Sequence, residues 1–222
     1  SKLPISVLGI STLDYVVYGG TKTHNRSYTT KGPKTKAIYA HSLDYDLLKD
    51  NKTQIDLDQK YVVFIDQNWP YHQDFVLNNF EINESSESHH DALRAFFLHI
   101  QRATGFDVVV SAHPRADMAI IESAYEGYRV VRGQTPQLVL KSQFVVAHYS
   151  TAVGLGVLCK KPILLIATAA MLKNPHMTNF FKGLSKALDD NILLIDVPDI
   201  QFDFAHFLLQ DRTDTYQNFV NQ

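Results

Sequence analysis

Residues 143–167 read QFVVAHYSTAVGLGVLCKKPILLIA, and this stretch decides the fold. The apolar runs at 143–150 and 161–167 are typical of strands that are buried on both faces. The segment between them, 150–160, has the length of a helix that packs on such strands. A strand, a helix and a second strand in this order predict a parallel βαβ unit.

The same alternation extends in both directions along the chain. Further strands are predicted at 60–66, 106–112, 128–133 and 191–196, and two short strands precede them at 14–18 and 36–42. Further helices are predicted at 89–103 (between an N-cap at Ser88 and Gly105), at 136–142 after Thr135, at 177–190 and at the C-terminus. We therefore expect an α/β fold with a doubly wound, mostly parallel, Rossmann-like sheet.

The composition excludes several classes of protein. The 222 residues are 45% hydrophobic, which is enough for a sizeable core, and the net charge of −2 offers no basic surface for nucleic acid. The one cysteine, Cys159, has no partner for an intrachain disulfide and is interpreted as a buried apolar residue. No apolar run reaches the ~20 residues of a membrane span, and the first residues lack a signal-peptide pattern. We expect a soluble, cytoplasmic chain.

The first candidate site is the strand end Ser111-Ala112-His113-Pro114-Arg115. Pro114 stops the strand because it lacks an N–H and restricts the residue before it. The strand thereby brings His113 to the carboxyl edge of the sheet, where ligands of such folds bind, and Arg115 follows it. An imidazole and a guanidinium in this position are suited to an anion, although a capping histidine and a surface arginine are the alternative interpretation.

The second candidate site is the junction His148-Tyr149-Ser150-Thr151, where a strand turns directly into a helix. Backbone N–H groups at a helix start, together with the hydroxyls of Ser150 and Thr151, make an anion site. The alternative is an ordinary N-cap. Two glycines inside the predicted helix, at 154 and 156, indicate tight packing of the helix on the sheet. No GxGxxG or GxxxxGK[ST] pattern supports the phosphate interpretation.

Taken together, an HP pair at a strand end followed by an ST pair at a helix start resembles bacterial glycosyltransferases that use CMP-activated acidic sugars. The similarity is to the C-terminal, nucleotide-binding half of the GT-B architecture, as in sialyltransferases and the Kdo transferases of capsule and lipopolysaccharide assembly. It covers roughly residues 36–196 and includes KAIYAHSLDYD and YVVFIDQNWPYHQDF, which look like surface-polysaccharide biosynthesis proteins. The resemblance implies that His113-Pro114 and Ser150-Thr151 bind the phosphate of the CMP donor.

This chain departs from the family in the region before His113. The related sialyltransferases carry there an acidic D/E-D/E-G motif whose carboxylate is the general base, and no such triplet precedes His113. A GT-B enzyme also has two Rossmann-like domains, whereas this chain has the length of about one. We therefore expect residues 1–35 to be a leading segment, the remnant of an N-terminal acceptor domain, and residues 36–222 to be the nucleotide-sugar-binding domain.

The chemistry of a CMP-sugar donor suggests roles for a few more side chains. An acidic residue must deprotonate the acceptor hydroxyl, and the candidates are Asp66, at the end of a buried strand, Asp44 and Asp46. Capping of the following turn is the alternative for Asp66, and no base is assigned. Arg115 is a candidate partner for the carboxylate or phosphate of the donor.

The other histidines receive simpler interpretations. His89 and His90, at a predicted helix start, are expected to be solvated, and His148 is expected to pack in the core. His72, with Asp74, is a candidate contributor to a site. No HExxH or CxxC spacing occurs, and the resembled enzymes are generally metal-independent, so neither a metal nor a cofactor is expected beside the donor.

Three functions remain open from the sequence. The first is a glycosyltransferase, or its donor-binding domain, that transfers a CMP-activated sugar such as sialic acid or Kdo to a surface glycan. The second is a teichoic-acid-type transferase that uses CDP-linked polyol phosphates. The third is a non-catalytic nucleotide- or glycan-binding module. The expected partners are a nucleotide-sugar and a glycan acceptor, and peripheral association of the full-length protein with the inner face of the membrane is left open.

Overall fold

Six parallel strands form the main sheet of the computed structural model, which describes residues 11–19, 31–41, 43–49, 59–69, 71–72 and 84–221. The strands are β3 (Tyr61–Ile65), β4 (Asp107–Ala112), β5 (Arg129–Arg132), β6 (Val145–Ala147), β7 (Ile163–Ala167) and β8 (Ile192–Leu194). Their order across the sheet is β5-β4-β3-β6-β7-β8, and every neighbouring pair is parallel. The sheet grows outward from β3 in one direction and from β6 in the other, as in a Rossmann fold.

Helices cover both faces of this sheet, so the predicted doubly wound fold is confirmed. Those after β3 are α2 (Ser86–Thr104), α3 (Met118–Ala124), α4 (Thr135–Lys141), α5 (Val153–Leu158), α6 (Ala169–Lys173), α7 (Pro175–Leu188), α8 (Phe204–Leu209) and α9 (Thr213–Val220). On one face, Phe64 of β3 packs with Phe97 of α2 and Phe204 of α8. On the other face, Val63 packs with Leu138 of α4 and Leu155 of α5. Burial of β3 on both faces explains its unbroken apolar sequence.

A second, smaller sheet is formed by residues that precede β3. Strands β1 (Tyr15–Tyr18) and β2 (Lys36–Tyr39) are parallel and pair Tyr15 with Lys36. Helix α1 (Leu43–Lys49) follows β2 and packs against α4 and α5 of the main fold. β1 lies in the predicted leading segment and β2 in the predicted domain, and the division between residues 35 and 36 stays a prediction.

The largest differences from the predicted helix boundaries occur in three places. Helix α2 begins at Ser86 because the Ser85 hydroxyl, not that of Ser88, caps it by accepting from the Ser88 N–H. Helix α5 has only six residues, since a turn occupies 150–152 and Ala152 is its N-cap. The predicted C-terminal helix is divided into α8 and α9.

The predicted strand at 143–150 is also too long, because β6 ends at Ala147. Just beyond it, the Nδ1 of His148 lies 2.8 Å from the carbonyl oxygen of Ile166, which is part of β7. The His148 side chain therefore donates a hydrogen bond to β7 just where the backbone pairing of β6 with β7 ends.

The predicted tight packing on the sheet is confirmed for Gly156, one of the two glycines in 150–160. A Cβ on Gly156 would lie 2.8 Å from Cγ1 of Ile163 and 3.4 Å from Cγ2 of Val145. Glycine at 156 thus lets α5 approach β6 and β7 more closely than any other residue would. Within the part of the chain that is described, no helix is both long and apolar enough to cross a membrane.

Candidate functional site

The strand order predicts a ligand-binding crevice at the carboxyl ends of β3 and β6. The chain leaves β3 toward β4 and leaves β6 toward β7, on opposite sides, and ligands of open α/β sheets bind at such a point. Gln67, after β3, donates from its side-chain nitrogen to the carbonyl oxygen of Tyr149, after β6. The two strand ends that flank the crevice are therefore tied together.

His113 reaches the carboxyl edge from β4, the neighbour of β3, as predicted. Its Nδ1 accepts a hydrogen bond of 3.2 Å from the backbone N–H of Arg115. Because that nitrogen is an acceptor, the neutral imidazole carries its hydrogen on Nε2. The carbonyl oxygen of His113 accepts from Ala116 N–H at 3.0 Å, which closes the turn through Pro114. Pro114 and Arg115 are exposed.

His72 lies beside this histidine. The ring centroids of His72 and His113 are 5.2 Å apart, with the rings at 74° to each other. The loop after β3 and the strand end of β4 thus meet at the same edge. Asp74, the predicted companion of His72, lies outside the described residues.

The Ser150-Thr151 turn follows β6, on the other side of β3. The N–H groups of Val153 and Gly154 donate to the carbonyl oxygens of Ser150 and Thr151, and the Ser150 hydroxyl accepts from Ala152 N–H at 3.2 Å. These three amides are used within the turn, and a six-residue helix has little dipole to add. Binding of a phosphate by Ser150 and Thr151 stays a prediction, and in this turn the hydroxyls of these two residues are the side-chain donors.

Asp66 is buried and connects the ends of β3 and β4 by hydrogen bonds. It is only 4% exposed. Its Oδ2 accepts from Asn68 N–H at 3.0 Å and from His113 N–H at 3.5 Å, while Oδ1 accepts from the Tyr125 hydroxyl at 3.0 Å. Burial disfavours the charged carboxylate and raises the pKa of Asp66 above its ordinary value. Asp66 therefore holds the backbone of His113 in place.

Asp44 lies against the start of α5 from outside the sheet. A Cβ on Gly154 would lie 3.4 Å from Oδ2 of Asp44, so this carboxyl group borders the segment that begins with the Ser150-Thr151 turn. Partial burial raises the pKa of Asp44. Asp46, the third candidate acid, is exposed and pairs instead with His41, at 2.9 Å between Oδ1 and Nε2.

The start of α2 holds a buried polar cluster that the sequence did not reveal. Oε2 of Glu84 accepts from Nε1 of Trp69 at 3.1 Å and from the Thr168 hydroxyl at 3.0 Å, and it lies 3.2 Å from Nδ1 of His89. One carboxylate oxygen thereby joins the loop after β3, the end of β7 and the first turn of α2. No local motif signals this set, because its members are brought together only by the sheet.

The prediction that His89 and His90 are solvated is wrong. Their exposed fractions are 1% and 3%. Because α2 begins at Ser86, both residues fall within its first turns and lie between the helix and the strand ends. His90 donates from Nδ1 to the carbonyl oxygen of Ser86 at 2.6 Å, and burial lowers its pKa.

His148 packs in the core as predicted. It is fully buried, and its ring contacts those of Phe64 and His89 at centroid distances of 5.5 and 5.4 Å. Burial lowers its pKa to about 3, so the imidazole is neutral near pH 7.

An aromatic pair borders the Ser150-Thr151 turn. The rings of Tyr149 and Phe180 are stacked, with centroids 5.8 Å apart and an interplanar angle of 16°. Phe181, the next residue of α7, is buried against Tyr149 with Trp69 and Met171. The sequence pattern does not single out these residues, since consecutive phenylalanines in a helix indicate only that one of them faces the core.

Among the residues that the structure describes, no group of three or more His, Cys, Asp and Glu side chains is arranged to hold a metal ion. No protein-family model matches the chain, and no curated protein matches it. Function therefore has to be argued from the geometry of the carboxyl edge.

Proposed function

We propose that the carboxyl edge between β4 and β6 binds the phosphate of a CMP-activated acidic sugar, and that the chain is a glycosyltransferase or its donor-binding domain. One observation carries the proposal. The strand order puts the His113 and Ser150-Thr151 segments on the two immediate neighbours of β3, on either side of it. Neighbouring strands lie about 4.8 Å apart, so about 10 Å separates the two strand ends, a gap that side chains reaching inward can narrow to the size of one phosphate.

The donors on the two sides suit a phosphate. The neutral imidazole of His113 carries its hydrogen on Nε2, and an N–H donor of this kind suits a phosphate oxygen. Ser150 and Thr151 add hydroxyl donors from the opposite side. Hydrogen bonds that strengthen as charge develops on the leaving phosphate stabilise the transition state of transfer.

In the proposed reaction the bond between the anomeric carbon and the phosphate oxygen breaks, and its electron pair leaves with CMP. The oxygen of the acceptor hydroxyl forms the new bond to the anomeric carbon and loses its proton to a base. Of the candidate acids, Asp44 suits this role best, because it is partly exposed and borders the α5 start, whereas the oxygens of Asp66 are occupied by backbone and tyrosine donors. Arg115, exposed beside His113, is the candidate partner of the sugar carboxylate.

Binding of nucleotides by calorimetry tests the proposal. We expect CMP to bind more tightly than CDP, UDP or GDP. His113→Ala and the double variant Ser150→Ala/Thr151→Ala should each weaken CMP about tenfold or more, since a hydrogen bond to a charged group contributes about 1.5–3 kcal/mol. His206→Ala, which removes an exposed histidine from α8, is the matched control and should bind CMP like the original chain.

Two other outcomes would favour a different function, and a third would contradict the proposal. Tighter binding of CDP than of CMP would favour the polyol-phosphate transferase. CMP binding without any transfer by the full-length protein would favour the non-catalytic module. A folded chain that binds none of the four nucleotides would contradict the proposal.

A further inference from the structure

Phe180 is a large apolar side chain that the fold leaves in solvent beside the proposed phosphate site. It is 62% exposed, whereas its neighbour Phe181 is fully buried. Its ring is nevertheless held in a defined orientation, because it stacks on Tyr149, which in turn packs edge-on against Phe181 at 5.3 Å. The chain therefore offers a planar aromatic ring that stacks on Tyr149 and is largely exposed to solvent.

The position of this surface is set by the strand that carries the phosphate turn. Tyr149 directly precedes Ser150, and its carbonyl oxygen accepts from the Gln67 side chain at the end of β3. Phe181 is buried in a cluster with Trp69, Met171 and Met177, which covers the end of β7. The stacked pair thus lies on the carboxyl edge, next to the turn.

We propose that Phe180, supported by Tyr149, is the surface on which the nucleobase of the bound nucleotide stacks. The inference rests on the proposed function, since it takes the phosphate of that nucleotide to lie at the Ser150-Thr151 turn. Nucleobases stack on aromatic side chains because both are flat and weakly hydrated on their faces. Every base has such a face, so this surface supplies affinity and does not distinguish cytosine from uracil.

Variants of Phe180 test the stacking by two readouts. Phe180→Leu keeps an apolar side chain on α7 but removes the ring, and Phe180→Trp keeps a ring. Leu209→Ala, which shortens an 85% exposed side chain on α8, is the control. Affinities for CMP, UMP and ribose 5-phosphate are measured by titration, and the proton resonances H5 and H6 of CMP are followed by NMR.

The expected result has three parts. Phe180→Leu weakens CMP and UMP by the same factor, within about 5- to 150-fold, and leaves ribose 5-phosphate unchanged. The H5 and H6 resonances move upfield on binding to the original chain and to Phe180→Trp, because a ring current acts on a stacked base, and they do not move with Phe180→Leu. Leu209→Ala behaves like the original chain.

The outcomes separate this proposal from the one on which it rests. If CMP binds and depends on His113, but Phe180→Leu binds it equally well or the upfield shifts are absent, the stacking proposal is overturned and the phosphate site stands. Loss of oligosaccharide binding alone in Phe180→Leu would also overturn it, because the ring would then serve the acceptor. If the original chain binds no CMP, both proposals fall.

Discussion

His148 shows what burial does to a single titratable residue. In an unfolded chain an imidazole binds a proton below about pH 6.5. In the folded protein burial lowers the pKa of His148 to about 3, so the folded state takes up this proton only in strong acid. Between these two values the unfolded state holds more protons at His148, so the contribution of His148 to stability falls as the pH falls.

We therefore predict that the free energy of unfolding decreases below about pH 6.5, with a slope due to His148 that approaches about 1.4 kcal/mol per pH unit. Urea unfolding followed by circular dichroism between about pH 7 and pH 5 measures it. His148→Gln, which keeps a donor for the Ile166 carbonyl oxygen, should show a smaller decrease. His90, with a lowered pKa, contributes in the same direction in both proteins. Equal pH dependence of the two would contradict this reading of His148.

Asp44 carries the prediction about catalysis. Replacement of Asp44 by asparagine removes the basic carboxylate but preserves the size of the side chain and one acceptor oxygen. In the full-length protein, Asp44→Asn should slow transfer from CMP-sialic acid or CMP-Kdo by about 10²–10⁴-fold. CMP binding should stay the same or become tighter, because a negative charge near the phosphate is lost.

The measurement is the rate of CMP release with a glycan acceptor, compared with CMP affinity by calorimetry. Asp46→Asn, on the same helix but paired with His41, is the matched control. A transfer rate that is unchanged in Asp44→Asn and reduced in Asp46→Asn would reverse the assignment of the base.

Among the secondary-structure elements, helix α5 lies especially close to the sheet at Gly156. Ile163 is buried, so its side chain has little room to move away from a Cβ on Gly156 that would lie 2.8 Å from its Cγ1. Gly183, on α7, is the matched control, because nothing lies within 4 Å of a Cβ built there.

We predict opposite effects for the same substitution in these two helices. Gly156→Ala should destabilise the protein by about 1–3 kcal/mol through overpacking, despite the higher helix propensity of alanine. Gly183→Ala should stabilise it by about 0.5–1 kcal/mol, because alanine loses less conformational entropy on folding. Urea unfolding of both variants measures these changes in the free energy of unfolding. A stabilised Gly156→Ala variant would contradict the tight packing of α5.

The same elements show how far sequence patterns reach. Strands β3, β4 and β7 were predictable because burial on both faces requires continuous apolar runs. The start of α2 was not, since Ser85 and Ser88 are equally good caps by composition, and the error of three residues placed His89 and His90 in solvent. The turn at Ser150 was misjudged for a related reason: hydroxyl residues favour a helix start and a preceding turn alike.

At the scale of the whole molecule, the strand order assembles the candidate site. His113 and Tyr125, which contact Asp66, lie 47 and 59 residues from it along the chain, and Thr168 lies 84 residues from Glu84. Such contacts depend on which strands are neighbours, and no local pattern specifies that. The sequence could name His113 and Ser150 as strand-end residues, but only the order β4-β3-β6 puts them on either side of one strand.

A cavity elsewhere on the protein is an alternative binding site for the nucleotide. A cavity of about 320 Å³ lies between the end of α5 and α9, lined by Leu158, Lys160, Arg212 and Tyr216 among others. It contains both basic and apolar side chains, so it too could receive a nucleotide. Lys160 and Leu158 lie beyond the start of α5, at the end away from the Ser150-Thr151 turn.

Mapping of CMP on the isotope-labelled chain by NMR distinguishes a phosphate site at the carboxyl ends of β4 and β6 from binding in this cavity. We predict that the amide resonances of His113, Arg115, Ser150 and Thr151 shift as CMP is added, and that inorganic phosphate at higher concentration shifts the same amides. Shifts confined to Leu158, Lys160, Arg212 and Tyr216, with those of His113 and Ser150 unmoved, would contradict a phosphate site at the carboxyl ends of β4 and β6.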